Sequence, residues 1–105
     1  MTGPLRNIAE LDRVIHEPAR LMLVALLSSV DSADFLFLLK ESRLTKGNLS
    51  VHLTRLEEAG YLTVKKSFRG KIPHTEFRLT PKGRAAFEEY RKSMGSILAA
   101  NKGKS

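Results

Sequence analysis

The stretch TKGNLSVHLTRLEEAGYLTVKK, from Thr45 to Lys66, gathers side chains suited to recognition rather than to making or breaking bonds. Asn48 offers a carboxamide that both donates and accepts, Ser50 and Thr54 offer hydroxyls, and Lys46 and Arg55 offer cationic donors. Lys65, Lys66, Arg69 and Lys71 then put four cations within seven positions. Groups of these types suit a surface dense in acceptors and negative charge. They do not compose a reaction centre: His52 stands near Ser50 on one helix, and no carboxylate pair or glycine-rich phosphate loop occurs. Cysteine is absent, which excludes disulfides and thiolate metal sites. His16, His52 and His74 are scattered without ligand spacing. Neither an enzymatic activity nor a cofactor is expected.

The whole chain agrees with that chemistry. Eighteen Lys+Arg against eleven Asp+Glu leave a net charge of +7 and a pI near 10.1, a balance that favours a polyanionic partner, nucleic acid or an anionic membrane. With 42% hydrophobic and 28% charged residues, the 105 residues read as one globular domain. A chain this short makes a marginal core, so self-association is a reasonable expectation. No apolar run approaches the ~20 residues of a membrane span. The start, MTGPLRNIAELDR, lacks a basic region followed by an apolar stretch. The expected setting is the cytoplasm, without membrane attachment.

Five helices and a hairpin must position these side chains. Ile8, Leu11 and Ile15 recur at helical spacing and predict a short helix over 5–16. Glu17-Pro18 marks a boundary, and PARLMLVALLSSV, apolar on nearly all sides, predicts the buried central helix. Asp31 or Ser32 can cap the next helix, whose Phe35, Leu38 and Leu39 face inward. Thr45 caps a helix running to about Ala59, and Gly60 stops it. Leu62, Val64 and Phe68 alternate with polar residues, as do Thr75, Phe77 and Leu79. These are two strands joined by the turn RGKIP, whose tip carries Arg69 and Lys71. Thr80-Pro81 starts a last helix over 81–100, and 101–105 is a polar tail. The fold expected over residues 18–80 is a helix-turn-helix with a wing, mainly α with a small β-hairpin, in the order α-α-α-α-β-β-α.

On the helix from Thr45 to Gly60, Leu49, Leu53, Leu56 and Gly60 share one side. Gly47, Val51, Thr54, Arg55 and Glu58 share the other, with Lys46, Asn48 and Ser50 flanking its N-terminal half. A major groove, ~12 Å wide, admits a helix and is read by side chains near its N-terminus. Small residues such as Gly47 and Ser50 permit that approach, Asn48 can pair with adenine, and Arg55 with guanine or phosphate. An ordinary solvated face would look similar. The adjacent basic hairpin, suited to sugar–phosphate and minor-groove contacts, favours the groove.

The stretch LTKGNLSVHLTRLEEAGYLTVKKSFRGKIPHTEFRLTPKGRAAFEEY resembles winged-helix transcriptional regulators of the MarR/ArsR type, in particular small stand-alone prokaryotic ones. LSVHLTRLEEAGYL is similar to the S-x-H-L-x-x-L-x-x-A-G pattern of ArsR-like recognition helices, and HEPARLMLVALL to their entry helix. The resemblance covers roughly residues 14–92. It implies DNA contact by Thr45, Lys46, Asn48, Ser50, Val51, His52, Thr54 and Arg55 on the helix, and by Lys65, Lys66, Arg69 and Lys71 on the wing. Val51 departs from the Arg or Gln often found there, and His52, at the edge of the buried stripe, either touches DNA or braces the helix. The Cys/His metal sites of many ArsR proteins have no counterpart.

The resemblance also implies a homodimer. Ile8, Leu11 and Ile15 with Phe87, Tyr90, Met94, Ile97 and Leu98 are the candidate interface, although the last helix's stripe could instead fold back on its own domain. The expected function is sequence-specific binding of double-stranded DNA by a dimeric regulator. A winged-helix protein-interaction module and a non-specific chromatin-type DNA binder are the alternatives.

Overall fold

Pro18 opens helix α1 (Pro18–Ser28), where its fixed φ suits the first turn and its missing N–H would have no helical partner. Glu17 caps the helix by accepting from the N–H groups of Ala19 and Arg20. A computed structural model describes residues 11–102, and in it α1 is followed by β1 (Ala33–Asp34), α2 (Phe35–Ser42), α3 (Lys46–Glu58), β2 (Leu62–Arg69), β3 (Ile72–Leu79) and α4 (Pro81–Lys102). This is the expected winged helix, with a three-stranded antiparallel sheet in the order β1-β3-β2.

Two expectations are corrected. Residues 11–17 form turns, so no helix reaches 16. The Asp12 carboxylate accepts from Val14 N at 2.9 Å and Ile15 N at 3.2 Å, taking up amides that a continuing helix would use. Residues 5–10, Ile8 among them, lie outside the described residues. The cap of α2 is Asp34, not Asp31 or Ser32; its carboxylate accepts from Phe37 N at 2.7 Å. The helix starts late because Ala33 and Asp34 are drawn into the sheet, opposite Phe77 and Glu76 of β3.

Thr45 caps α3 by accepting from Asn48 N at 3.1 Å. Ala59 ends the helix, and Gly60 reverses the chain at φ +80°, a conformation that glycine adopts without Cβ strain. The hairpin turns at Gly70 and Lys71, with Gly70 at φ +66°. Pro73 is tolerated in β3 because β1 pairs only as far as Glu76, so β3 has a single neighbour at that level.

Leu23, Val24 and Leu27 of α1 form the centre of the core with Leu38, the α3 leucines, and Leu62, Phe77 and Leu79 of the sheet. Leu49, Leu53 and Leu56 are 0%, 3% and 0% exposed. Burying three leucines contributes roughly 5–9 kcal/mol, comparable to the net stability of a whole domain. That fixes the rotation of α3 about its axis and holds its polar side outward. A second cluster joins Leu11 and Ile15 to Tyr90 and Ile97 of α4. Tyr61 ties the two together: it packs on both and its hydroxyl donates to Asp12. Burial and that hydrogen bond push its phenol up to about 12.

Phe68 is 72% exposed, although it alternates in step with the buried Leu62 and the half-buried Val64. Strands of eight residues span about 26 Å. The hairpin therefore outruns the body, and residues 68–73 are all exposed.

Candidate nucleic-acid interface

The leucine side of α3 is sealed, so the opposite side is what the protein presents. Lys46, Gly47, Asn48, Ser50, Val51, Thr54 and Arg55 are all exposed, and so is the capping Thr45. The first turn also points N–H groups outward, and the helix dipole adds partial positive charge there. The acidic Glu57 and Glu58 lie at the far end. An anion or a rank of base-edge acceptors meets donors at the N-terminal half.

His52 is turned away from this surface. Its Nδ1 lies 3.1 Å from Arg20 Nη1, and its Nε2 lies 3.7 Å from Glu17 Oε2. A guanidinium only donates, so Nδ1 accepts and the ring proton sits on Nε2, facing the carboxylate. Arg20 is itself anchored by Nε donating to Val14 O at 2.6 Å. Burial raises the Glu17 carboxyl, but the amides of Arg20 and Ala19 and the neighbouring His52 and Arg20 outweigh it and hold it below the usual value. Sequence reasoning left His52 open and assigned Arg20 no role. Arg20 and His52 are 32 positions apart, and only packing α1 against α3 brings them together.

The wing splits the basic cluster between two faces. Lys66 shares a groove of about 260 Å³ with Ser50, Leu53, Thr54 and Glu57 of α3. Strand alternation turns Lys65 and Arg69 to the other face, where Lys65 stands opposite Glu76 and Arg69 Nη2 lies 4.0 Å from the Glu76 carboxylate. His74 Nε2 is 3.2 Å from the same carboxylate. Lys71 occupies the turn, and among the described residues neither Lys66 nor Lys71 is in an ion pair. The structure thus joins Lys66 to α3 and sets Lys65 and Arg69 on the far side of the hairpin.

The candidate interface stripe is divided as well. Leu11, Ile15, Tyr90 and Ile97 are buried within the chain, and the Tyr90 hydroxyl lies 2.8 Å from His16 Nδ1. Phe87 is half-buried against the main core and Met94 against the second cluster. Leu98 is 61% exposed. Among the described residues no helix is long and apolar enough to cross a membrane.

Comparison with known proteins places this geometry. The chain is 37% identical over 79 residues to an uncharacterized protein of Methanocaldococcus jannaschii, covering 74% of this chain and 85% of that one. A transcriptional regulator homologue from Pyrococcus horikoshii superposes with a TM-score of 0.77 at 27% identity, over 97% of each chain. A protein described as a MarR-family transcriptional regulator, from Enterococcus faecalis, shares the fold with a TM-score of 0.74 at 20% identity, over 100% of this chain and 96% of that one. Residues 19–98 match the winged helix DNA-binding domain, a family of binding rather than catalytic domains. With an outward polar helix beside a basic hairpin and a family match over most of its length, the chain belongs to the winged helix DNA-binding domain family.

Proposed function

We propose that the chain is a homodimeric transcriptional regulator that binds double-stranded DNA sequence-specifically in the cytoplasm. α3 enters the major groove, and the wing lies on the sugar–phosphate backbone and minor groove. One observation carries this reading: three buried leucines lock α3 with Asn48, Ser50 and Arg55 outward, next to Lys66 of β2. Asn48 and Arg55 are the base readers, and Lys66 and Lys71 the phosphate contacts. His52 acts by bracing, through Arg20 and Glu17.

Replacing Asn48 and Arg55 by alanine is expected to relax sequence preference, by about 1–3 kcal/mol per lost bidentate contact. Lys66→Ala and Lys71→Ala should weaken all duplexes alike. Titrating a selected and a scrambled duplex against each variant separates the two classes. Equal effects of both sets on preference would contradict the assignment.

The dimer is supported by α4. At 22 residues it is about 33 Å long, and Gly95 and Leu98 are exposed on it. A Cβ at Gly95 would meet nothing within the chain, yet a mid-helix glycine costs about 1 kcal/mol relative to alanine. Close approach of a second helix would account for both residues. Two copies of α3 would then face successive major grooves, ~34 Å apart. Leu98→Asp is expected to shift the protein from dimer to monomer in sedimentation velocity; an unchanged dimer would exclude this surface.

A further inference from the structure

Val51 is 60% exposed in the middle of an otherwise polar helix face. With Ser50, Thr54 and Arg55 it lines a shallow dip on that face. Side chains on a helix lean toward its N-terminus, so the Val51 methyl groups lie over the turn that holds Gly47, four residues back. Gly47 has no side chain to cover them. A Cβ built at Gly47 meets nothing within 4 Å, so packing inside the chain does not require glycine there, and alanine would suit the helix better. An uncovered apolar side chain and a glycine without an internal reason therefore sit one turn apart on one face.

We infer that Gly47 and Val51 form a seat for the 5-methyl group of a thymine, so that Val51 is a specificity-determining residue. The inference rests on the DNA-binding reading above. Among the base edges of the major groove, the thymine methyl is the apolar group, and an aliphatic side chain is its natural contact. Gly47 lets the base edge approach the helix backbone. Asn48 and Arg55 flank the seat and suit the polar edges of neighbouring bases, and Lys46 and Arg55 match it to a polyanion rather than to an apolar protein surface. Val51 thus reads a base by shape where a longer polar residue would read it by hydrogen bonds.

The test uses the full chain and the duplex it prefers after selection from random DNA. Each thymine of that duplex is replaced in turn by uracil, which lacks only the methyl group. At one or two positions per half-site the replacement should weaken wild-type binding roughly fourfold, the effect of burying one methyl-sized group. Val51→Ala should bind the thymine and uracil duplexes equally. Gly47→Ala should bind the thymine duplex more weakly while its melting temperature does not fall. Equal wild-type affinity for thymine and uracil at every position, with the selected duplex still preferred over a scrambled one, would overturn the inference and leave DNA binding intact. Absence of binding to any duplex would overturn both.

Discussion

Raising the salt concentration from about 50 to about 200 mM is expected to weaken duplex binding by on the order of a thousandfold. Each phosphate neutralised by a cation releases condensed counterions, and log affinity falls with log salt at a slope near −0.9 per contact. About six contacts shared by two protomers give that factor for a fourfold rise in salt. Lys46, Lys66 and Lys71 are the available cations on the helix start and wing, all exposed, whereas Arg69 lies with Lys65 on the other face, 4.0 Å from the Glu76 carboxylate. Lys66→Ala should lower the slope by about one per protomer, and Lys65→Ala by less, because Lys65 stands opposite Glu76 on the other face of the hairpin. Titration of one duplex at several salt concentrations measures this directly. A nearly flat dependence would remove the phosphate contacts, and with them the proposed role of the wing.

Gly83→Ala should destabilise the fold by roughly 3 kcal/mol or more, lowering the melting temperature by about 12 °C or more at fixed protein concentration. A Cβ there would lie 2.2 Å from Tyr61 O and 3.0 Å from Tyr61 C. Both atoms are backbone and cannot swing aside as a side chain would. Tyr61 O also accepts from Thr80 N at 3.0 Å, and Thr80 Oγ1 donates to Gly60 O at 2.6 Å while accepting from Gly83 N at 2.9 Å. This junction holds the end of α3, the start of β2, the end of β3 and the start of α4 together. The ~1 kcal/mol that alanine gains over glycine in a helix cannot offset a collision with main chain. Melting temperatures of the wild type and the variant decide the point, and equal values would mean that α4 does not approach Tyr61 this closely. Gly47→Ala is the internal control, because a Cβ there meets open space. The two glycines look alike in sequence, but one is demanded by the fold and the other is not.

What the sequence determined by itself is what depends on near neighbours. Thr45 caps three residues ahead, the leucines of α3 repeat within a turn or two, and Gly60 and Gly70 take positive φ where a helix and a hairpin must reverse. Alternation from Leu62 and from Thr75 was enough to read the hairpin, the order of the elements gave a helix-turn-helix with a wing, and the family resemblance agreed with it. What only the tertiary structure decided depends on residues far apart in the chain. Ala33–Asp34 becomes a strand because β3 is there to pair with it, and that moves the cap of α2 to Asp34. His52 turns inward because α1 brings Arg20 and Glu17 to it. Phe68 is exposed because the hairpin extends past everything that could cover it, and Lys66 parts from Lys65 and Arg69 because only one face of the sheet meets α3. Local hydrogen bonding and periodicity are carried by adjacent residues, whereas burial and long-range pairing exist only once the elements are packed.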